Sequence, residues 1–257
     1  MNLIDVHCHI NDEDYGSVEK LIENIQTAGV KKIISVGFDL PSSEYCRVLS
    51  EKYDCVYFTA GFHPTELKDF KDGDLQGIEQ LAKHKKCVAI GEIGLDYHYP
   101  DTDKELQHRV FIAQLALAER LNMPVQIHSR DCAEDMLKVL KDWTDRIEIM
   151  LHCYSHSTEI AVQLEKSGIY FSFGGTSTWS GSKKAKRTIA ALPINRLLTE
   201  TDSPYLPPKS KYGTFPNTPE SIPEILENIA EIKGADAESV ARTVWDTAHT
   251  LFPKLNN

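Results

Sequence analysis

The sequence predicts a (β/α)8 TIM barrel that occupies residues 1–257 as a single domain and carries extra C-terminal helices. Three observations lead there. Short apolar runs rich in β-branched residues alternate with stretches of helical periodicity, the pattern of a parallel sheet. Eight such pairs follow one another at roughly 20 to 35 residues each, a length that suits one strand-helix unit. The 257 residues also match the roughly 250 that a closed barrel of this kind commonly needs. An open doubly wound sheet is the other arrangement that the alternation permits.

Taken in order, the first strand is Leu3-Ile4-Asp5-Val6-His7-Cys8-His9, and residues 11–16 form a polar loop. Ser17 has the character of an N-cap, and Val18, Leu21, Ile22 and Ile25 recur at helical spacing up to Gly29. Residues 32–37 read as the second strand, and Pro41-Ser42-Ser43 opens a helix to Lys52. The third strand, 56–63, stops at Pro64, which restricts His63 to extended geometry. A helix at 74–84 leads to the fourth strand, 87–95, which contains Gly91 and Gly94. Glycine weakens a strand, and the usual reason to keep it there is close approach of backbone or ligand. A long helix at 103–121 precedes the fifth strand, 124–129. A helix at 132–142, a strand at 147–153, a helix at 156–167 and a strand at 170–175 follow. Residues 183–191 form a short basic helix, 197–202 the eighth strand, and 204–219 a proline-rich loop before helices at 219–233 and 236–251.

Composition is that of a globular chain with an ample core, 41% apolar and 26% charged. A net charge of −10 argues against a protein that coats nucleic acid through a broad basic surface. It leaves a nucleic-acid enzyme open, because bound divalent cations and a few placed lysines supply positive charge locally. Cys8, Cys46, Cys55, Cys87, Cys132 and Cys153 are scattered without a Cys-x-x-Cys pair, and no signal peptide is read before them. The expectation is a cytoplasmic protein with free thiols. No apolar run approaches the roughly 18 to 20 residues of a membrane span. No tail suggests an obligate protein partner.

The chemistry is carried by residues at the ends of the apolar runs. His7 and His9 are two apart, so in a strand both imidazoles project from one face. Glu92, His128, His152 and Asp202 close the fourth, fifth, sixth and eighth strands, the barrel face where such enzymes place their chemistry. Singly, each has an ordinary alternative: a core histidine bonded to backbone, a rim carboxylate, a turn aspartate. Six on one face point to metal ligation. Four imidazoles and two carboxylates exceed the roughly three protein ligands of one open catalytic ion. Two divalent ions bridged by Glu92 fit the number, with His7, His9, Glu92 and Asp202 on one, and Glu92, His128 and His152 on the other. Imidazole-rich ligation suits zinc, while magnesium and manganese prefer oxygen, so the ion's identity stays open.

Six stretches then resemble, in order, the motifs of the TatD-type deoxyribonucleases. They are Asp5-Val6-His7-Cys8-His9, Gly61-Phe62-His63-Pro64, Gly91-Glu92-Ile93-Gly94-Leu95-Asp96-Tyr97, Gln126-Ile127-His128-Ser129-Arg130-Asp131, Leu151-His152-Cys153 and Glu200-Thr201-Asp202-Ser203-Pro204-Tyr205-Leu206. The resemblance covers essentially the whole chain. It implies a metal-dependent hydrolase of the amidohydrolase superfamily acting on DNA phosphodiesters. It also implies the same six ligands, with His63 a phosphate contact or proton donor. Glutamate at 92 separates the chain from amidohydrolases that bridge their ions with a carbamylated lysine.

One departure stands out. Where the family often shows arginines ending in Arg-Asn-x-Pro, this chain reads Tyr212-Gly213-Thr214-Phe215-Pro216-Asn217-Thr218-Pro219. Asn217 keeps part of that pattern, and Lys209 and Lys211 are expected to replace the arginine as phosphate contacts, without its bidentate geometry. Lys183, Lys184, Lys186 and Arg187 are further candidates to grip phosphates, and Tyr97, Tyr154, Trp179 and Tyr205 to stack on unpaired bases. Asp202 would orient or deprotonate a metal-activated water, and a deep site in an acidic protein would favour single strands or frayed 3′ ends. The rival reading is a small-molecule amidohydrolase or lactonase using the same metal shell.

Overall fold

In the computed structural model, which describes residues 1–256 and leaves Asn257 outside the described residues, the apolar runs become eight parallel strands hydrogen-bonded in strict chain order. These are β1 (Leu3–Cys8), β2 (Val30–Val36), β3 (Val56–Ala60), β4 (Cys87–Asp96), β5 (Val125–Arg130), β6 (Ile149–Leu151), β7 (Tyr170–Phe173) and β8 (Leu197–Thr199). Around them lie α1 (Asp12–Tyr15), α2 (Val18–Thr27), α3 (Leu40–Lys52), α4 (Leu75–Ala82), α5 (Lys104–Leu121), α6 (Ala133–Leu140), α7 (Thr158–Glu165) and α8 (Lys183–Ala191). The last two helices are α9 (Ile222–Lys233) and α10 (Ala237–Leu251). This is the expected (β/α)8 barrel with extra C-terminal helices. Every residue of β4 is buried, as a strand covered by helices outside and packed side chains inside requires.

The circle is drawn together between β8 and β1. The Asp202 N–H donates to the His7 carbonyl at 2.9 Å, the His9 N–H to the Ser203 carbonyl at 2.7 Å, and the Thr199 hydroxyl to the Ile4 carbonyl at 2.8 Å. Helix α10 packs across this seam against both strands, with Val240, Val244, Ala248 and Leu251 buried. The closing helices therefore brace the junction that holds two of the expected ligand groups.

Several boundaries differ from expectation for local reasons. Strands β3, β6 and β8 end earlier, at Ala60, Leu151 and Thr199, so His63, His152 and Asp202 lie just past the ladders. The chain turns there: Cys153 and Asp202 take left-handed φ values of 42° and 51°. Helix α3 is capped by Asp39 rather than opened by Pro41. The Asp39 carboxylate accepts the Ser42 N–H at 2.8 Å and the Ser42 hydroxyl faces the Asp39 N–H at 2.9 Å, with proline in the first turn, where no N–H is missed. The expected polar loop at 11–16 contains the one-turn α1. Among the described residues no helix is long and apolar enough to cross a membrane.

The two strand glycines do mark close approach. A Cβ on Gly91 would lie 2.9 Å from the Gln126 Cβ, and one on Gly94, at φ 144°, would lie 2.0 Å from the His128 carbonyl oxygen. Gly94→Ala is therefore expected to destabilise the fold by at least about 2 kcal/mol, measured by urea denaturation. An unchanged midpoint would show that β4 and β5 can separate without loss.

Candidate active site

The seam between β1 and β8 is built on Asp5. Its buried carboxylate accepts the His7 N–H at 3.2 Å and the Thr201 N–H at 3.1 Å on Oδ1, and the Thr201 hydroxyl at 2.5 Å on Oδ2. Just above, the His7 and His9 rings stand edge to face, 5.1 Å apart, beside Asp202. Asp202 Oδ1 lies 3.6 Å from His7 Nε2 and 3.5 Å from His9 Nε2.

Glu92 sits between this group and a second one. Its N–H donates to the Gly37 carbonyl at 2.8 Å, and its side chain is almost wholly buried. Oε2 faces His7 Nε2 at 3.5 Å and His9 Nε2 at 3.7 Å. Oε1 faces His152 Nε2 at 2.7 Å, His128 Nδ1 at 3.1 Å and His63 Nε2 at 3.6 Å. All six expected ligands, and His63, thus come together.

The orphaned nitrogen of His7 tests the fit to a metal. Nε2 is buried without a hydrogen-bond partner, yet it looks at two carboxylate oxygens at 3.5 and 3.6 Å. That is too long for a hydrogen bond and close to the roughly 3.4 Å separating two ligands each about 2.1 Å from a tetrahedral ion. Among the described residues, His7, His9 and Asp202 form one close group of donors, His7, Glu92 and His152 another, and His63, Glu92 and His128 a third. The donor set fits divalent cations.

Three of the four ligand imidazoles are held by a hydrogen bond from behind, and the fourth, His152, has a carboxylate nearby. The Val36 carbonyl can only accept, so at 3.1 Å it fixes the proton on His9 Nδ1 and leaves Nε2 free to ligate. His7 Nδ1 lies 3.0 Å from Gln126 Oε1, and the Gln126 amide donates to the Val6 carbonyl at 2.9 Å. His128 Nε2 faces Asp96 Oδ2 at 2.9 Å. His152 Nδ1 is buried without a hydrogen-bond partner; Glu200 Oε2 lies 3.7 Å away, too long for a bond, and Glu200 is itself fixed by the Cys153 N–H at 2.7 Å and the Ser172 hydroxyl at 2.6 Å. Two imidazoles are therefore backed by neutral acceptors and two by carboxylates.

These carboxylates set the electrostatics. Burial disfavours charge on Glu92, but His152, His63 and His7 together hold its carboxyl well below the usual range. Burial likewise disfavours protonated His9, His128 and His152, and is outweighed by Asp202 and Glu92, by Asp96 and Glu92, and by Glu92 and Glu200 respectively, so all three are raised. His63 has only Glu92 to help it, and burial pushes it down to about 3, so it stays neutral.

The cluster floors a cavity of about 530 Å³ whose rim carries Ser129, Arg130, Ser155, Tyr205 and Leu206. Tyr205 stands exposed at the lip. Three expected substrate contacts do not line this cavity. Asn217 is fully buried, its amide donating to the Tyr205 and Thr201 carbonyls and its Oδ1 accepting the Ser221 hydroxyl, so it ties down the loop. Lys211 donates to Ser221 Oγ at 3.3 Å, and Lys209 borders a neighbouring cleft; neither lines this cavity. Among the stacking candidates, Tyr97 donates to Asp135 and buried Tyr154 to the Ser157 carbonyl, so both serve packing.

Asp96, Gln126 and Glu200 escaped notice as functional candidates. A signal existed for Gln126, which precedes His128 by two residues on β5, so that period-two placement turns both to the barrel interior. Arg130 lay in a quoted motif without a role, and it lines the cavity.

A parallel barrel whose strand ends gather histidines and carboxylates around an open cavity defines a metal-dependent hydrolase. The sequence matches the family model described as TatD related DNase over residues 4–253, and the chain belongs to that family. It is 38% identical over 252 residues to the uncharacterized metal-dependent hydrolase YabD of Bacillus subtilis, covering 97% of this chain and 98% of the relative. It is 34% identical over 233 residues to the 3′-5′ ssDNA/RNA exonuclease TatD of Escherichia coli, covering 88% of each. The crystal structure of YJJV, a TatD homolog from Escherichia coli, superposes with a TM-score of 0.92 at 32% identity, covering 98% of both chains.

Two outcomes are expected of the backing residues and the charge balance. Asp96→Asn and Glu200→Gln should each weaken binding of zinc or manganese about 10- to 100-fold by titration calorimetry, with the fold retained. Because the raised histidines bind protons in competition with metal, affinity should fall by at least about tenfold from pH 8 to pH 6. Metal binding indifferent to both changes would contradict this arrangement.

Proposed function

We propose that the protein is a metal-dependent deoxyribonuclease that shortens single-stranded or frayed DNA from its 3′ end. The observation that carries the reading is the division of Glu92, one carboxylate oxygen facing His7 and His9 and the other facing His128 and His152. His7, His9, Glu92 and Asp202 would hold one divalent cation, and Glu92, His128 and His152 a second. Cations bound there lower the pKa of water and polarise a phosphoryl oxygen.

The chain's own groups supply the rest. The histidines beside Asp202 outweigh its burial and keep it ionised, ready to orient the attacking water or take its proton. Neutral His63 has Nδ1 2.7 Å from the Thr65 hydroxyl and 3.2 Å from the Thr65 N–H; in the tautomer that accepts the N–H, Nε2 would donate a hydrogen bond to a phosphate oxygen. Arg130 on the cavity wall can pair with a phosphate in bidentate fashion, which the loop lysines cannot. A cluster at the floor of a barrel-mouth cavity supports a chain end as substrate in preference to the flank of a duplex. The Escherichia coli relative, a 3′-5′ ssDNA/RNA exonuclease, supports this polarity and extends the question to RNA.

The test is cleavage of 5′-labelled single-stranded DNA by protein stripped of metal and reloaded with Mg²⁺, Mn²⁺ or Zn²⁺. Stepwise shortening from the 3′ end, with circular single strands resistant and Glu92→Ala slowed more than about 100-fold, is expected. Turnover of lactones beside inert phosphodiesters would overturn the proposal in favour of a small-molecule hydrolase.

A further inference from the structure

Next to the metal-ligand cavity lies a cleft of about 600 Å³ bordered by Trp179, Ser182, Lys209 and Tyr212. Its walls come from the loops after β7 and β8, and the latter also carries Tyr205 and Leu206 on the rim of the main cavity. One loop therefore borders both depressions, with Tyr205 and Leu206 at the first and Lys209 and Tyr212 at the second.

Three features set this corner apart. The loop exposes large aromatics that a soluble surface normally hides, with Tyr205 at 57%, Tyr212 at 71% and Phe215 at 61% exposure. Trp179 is anchored by its indole N–H, which donates to the Pro207 carbonyl at 2.9 Å, and it meets Tyr212 edge to face at 5.4 Å. Tyr212 is thus braced on one side and open on the other. The charge also reverses: in a chain of net charge −10, the only acidic residues between Gly174 and Pro219 are Glu200 and Asp202, both in the cluster already described. Lys183, Lys184, Arg187 and Lys209 stand exposed along the same stretch.

Resting on the nuclease reading above, we infer that this cleft is a second nucleotide subsite, which takes an unpaired base of the substrate strand upstream of the scissile bond. The base stacks on Tyr212, braced by Trp179, while Lys209 neutralises the adjoining phosphate. Aromatic faces and cations in alternation are what a single strand recognises without sequence preference. A lone phosphate-binding pocket would not need the aromatics, and an apolar protein partner would not need the lysines.

The experiment compares the metal-loaded wild type with Tyr212→Ala and Tyr212→Trp on a thymidine dinucleotide and on dodecathymidylate. Tyr212→Ala is expected to raise KM for the long strand about tenfold with kcat within about twofold, to leave KM for the dinucleotide unchanged, and to be rescued by Tyr212→Trp. An unaltered KM for the long strand would overturn the subsite while leaving the nuclease reading intact. An equal rise for both lengths would overturn it too, by placing the effect in the main cavity. A wild type inactive on both substrates would remove the nuclease reading and the subsite with it.

Discussion

A carboxylate buried among five histidine side chains is the constraint from which this end of the barrel follows. An isolated buried charge costs several kcal/mol, so Glu92 must be met by protons or cations from every side. The structure meets it by delivering imidazoles from β1, from β5 and from the loops after β3 and β6. None of these donors is free to relax away. Gln126, Val36 and Asp96 hold three of the rings from behind, Glu200 stands 3.7 Å from a fourth, and Asp5 locks β1 to the chain leaving β8. Preorganisation of this kind favours ligation over the loose hydrogen bonds that mobile histidines would make.

The asymmetry of the backing groups matters for charge. His7 and His9 share Glu92 with a second direct carboxylate, Asp202, and need only neutral acceptors behind them. His128 and His152 have no such partner of their own, and the carboxylates Asp96 and Glu200 stand behind them instead. Both halves of the cluster thus approach a similar negative balance by different routes. On the outer surface, the acidic chain repels polyanions in general, while the loops after β7 and β8 present the opposite sign.

Much of this was legible before any coordinates. The alternation of short β-branched runs with helical periodicity gave the barrel, and the six ligand candidates stood out because each closed an apolar run. What remained hidden has physical causes. Strand ends are set by where the backbone leaves the ladder, so His63, His152 and Asp202 lie beyond β3, β6 and β8, two of them beside left-handed turns that no side-chain pattern announces. Asp96 and Glu200 looked like motif neighbours because their value comes from partners about 30 to 50 positions away in sequence, His128 and Cys153 among them. Asn217 misled because a polar residue in a proline-rich loop is ordinarily exposed, whereas here the loop folds over it and uses all its hydrogen-bonding groups.

The two halves of the cluster work as one site if Glu92 serves two cation positions at once. Native mass spectrometry of protein saturated with zinc or manganese, wild type beside Glu92→Gln, reads this directly as ions per chain. Two ions on the wild type and at most one on the variant are the expected result. A single ion on the wild type, or two retained by the variant, would contradict it.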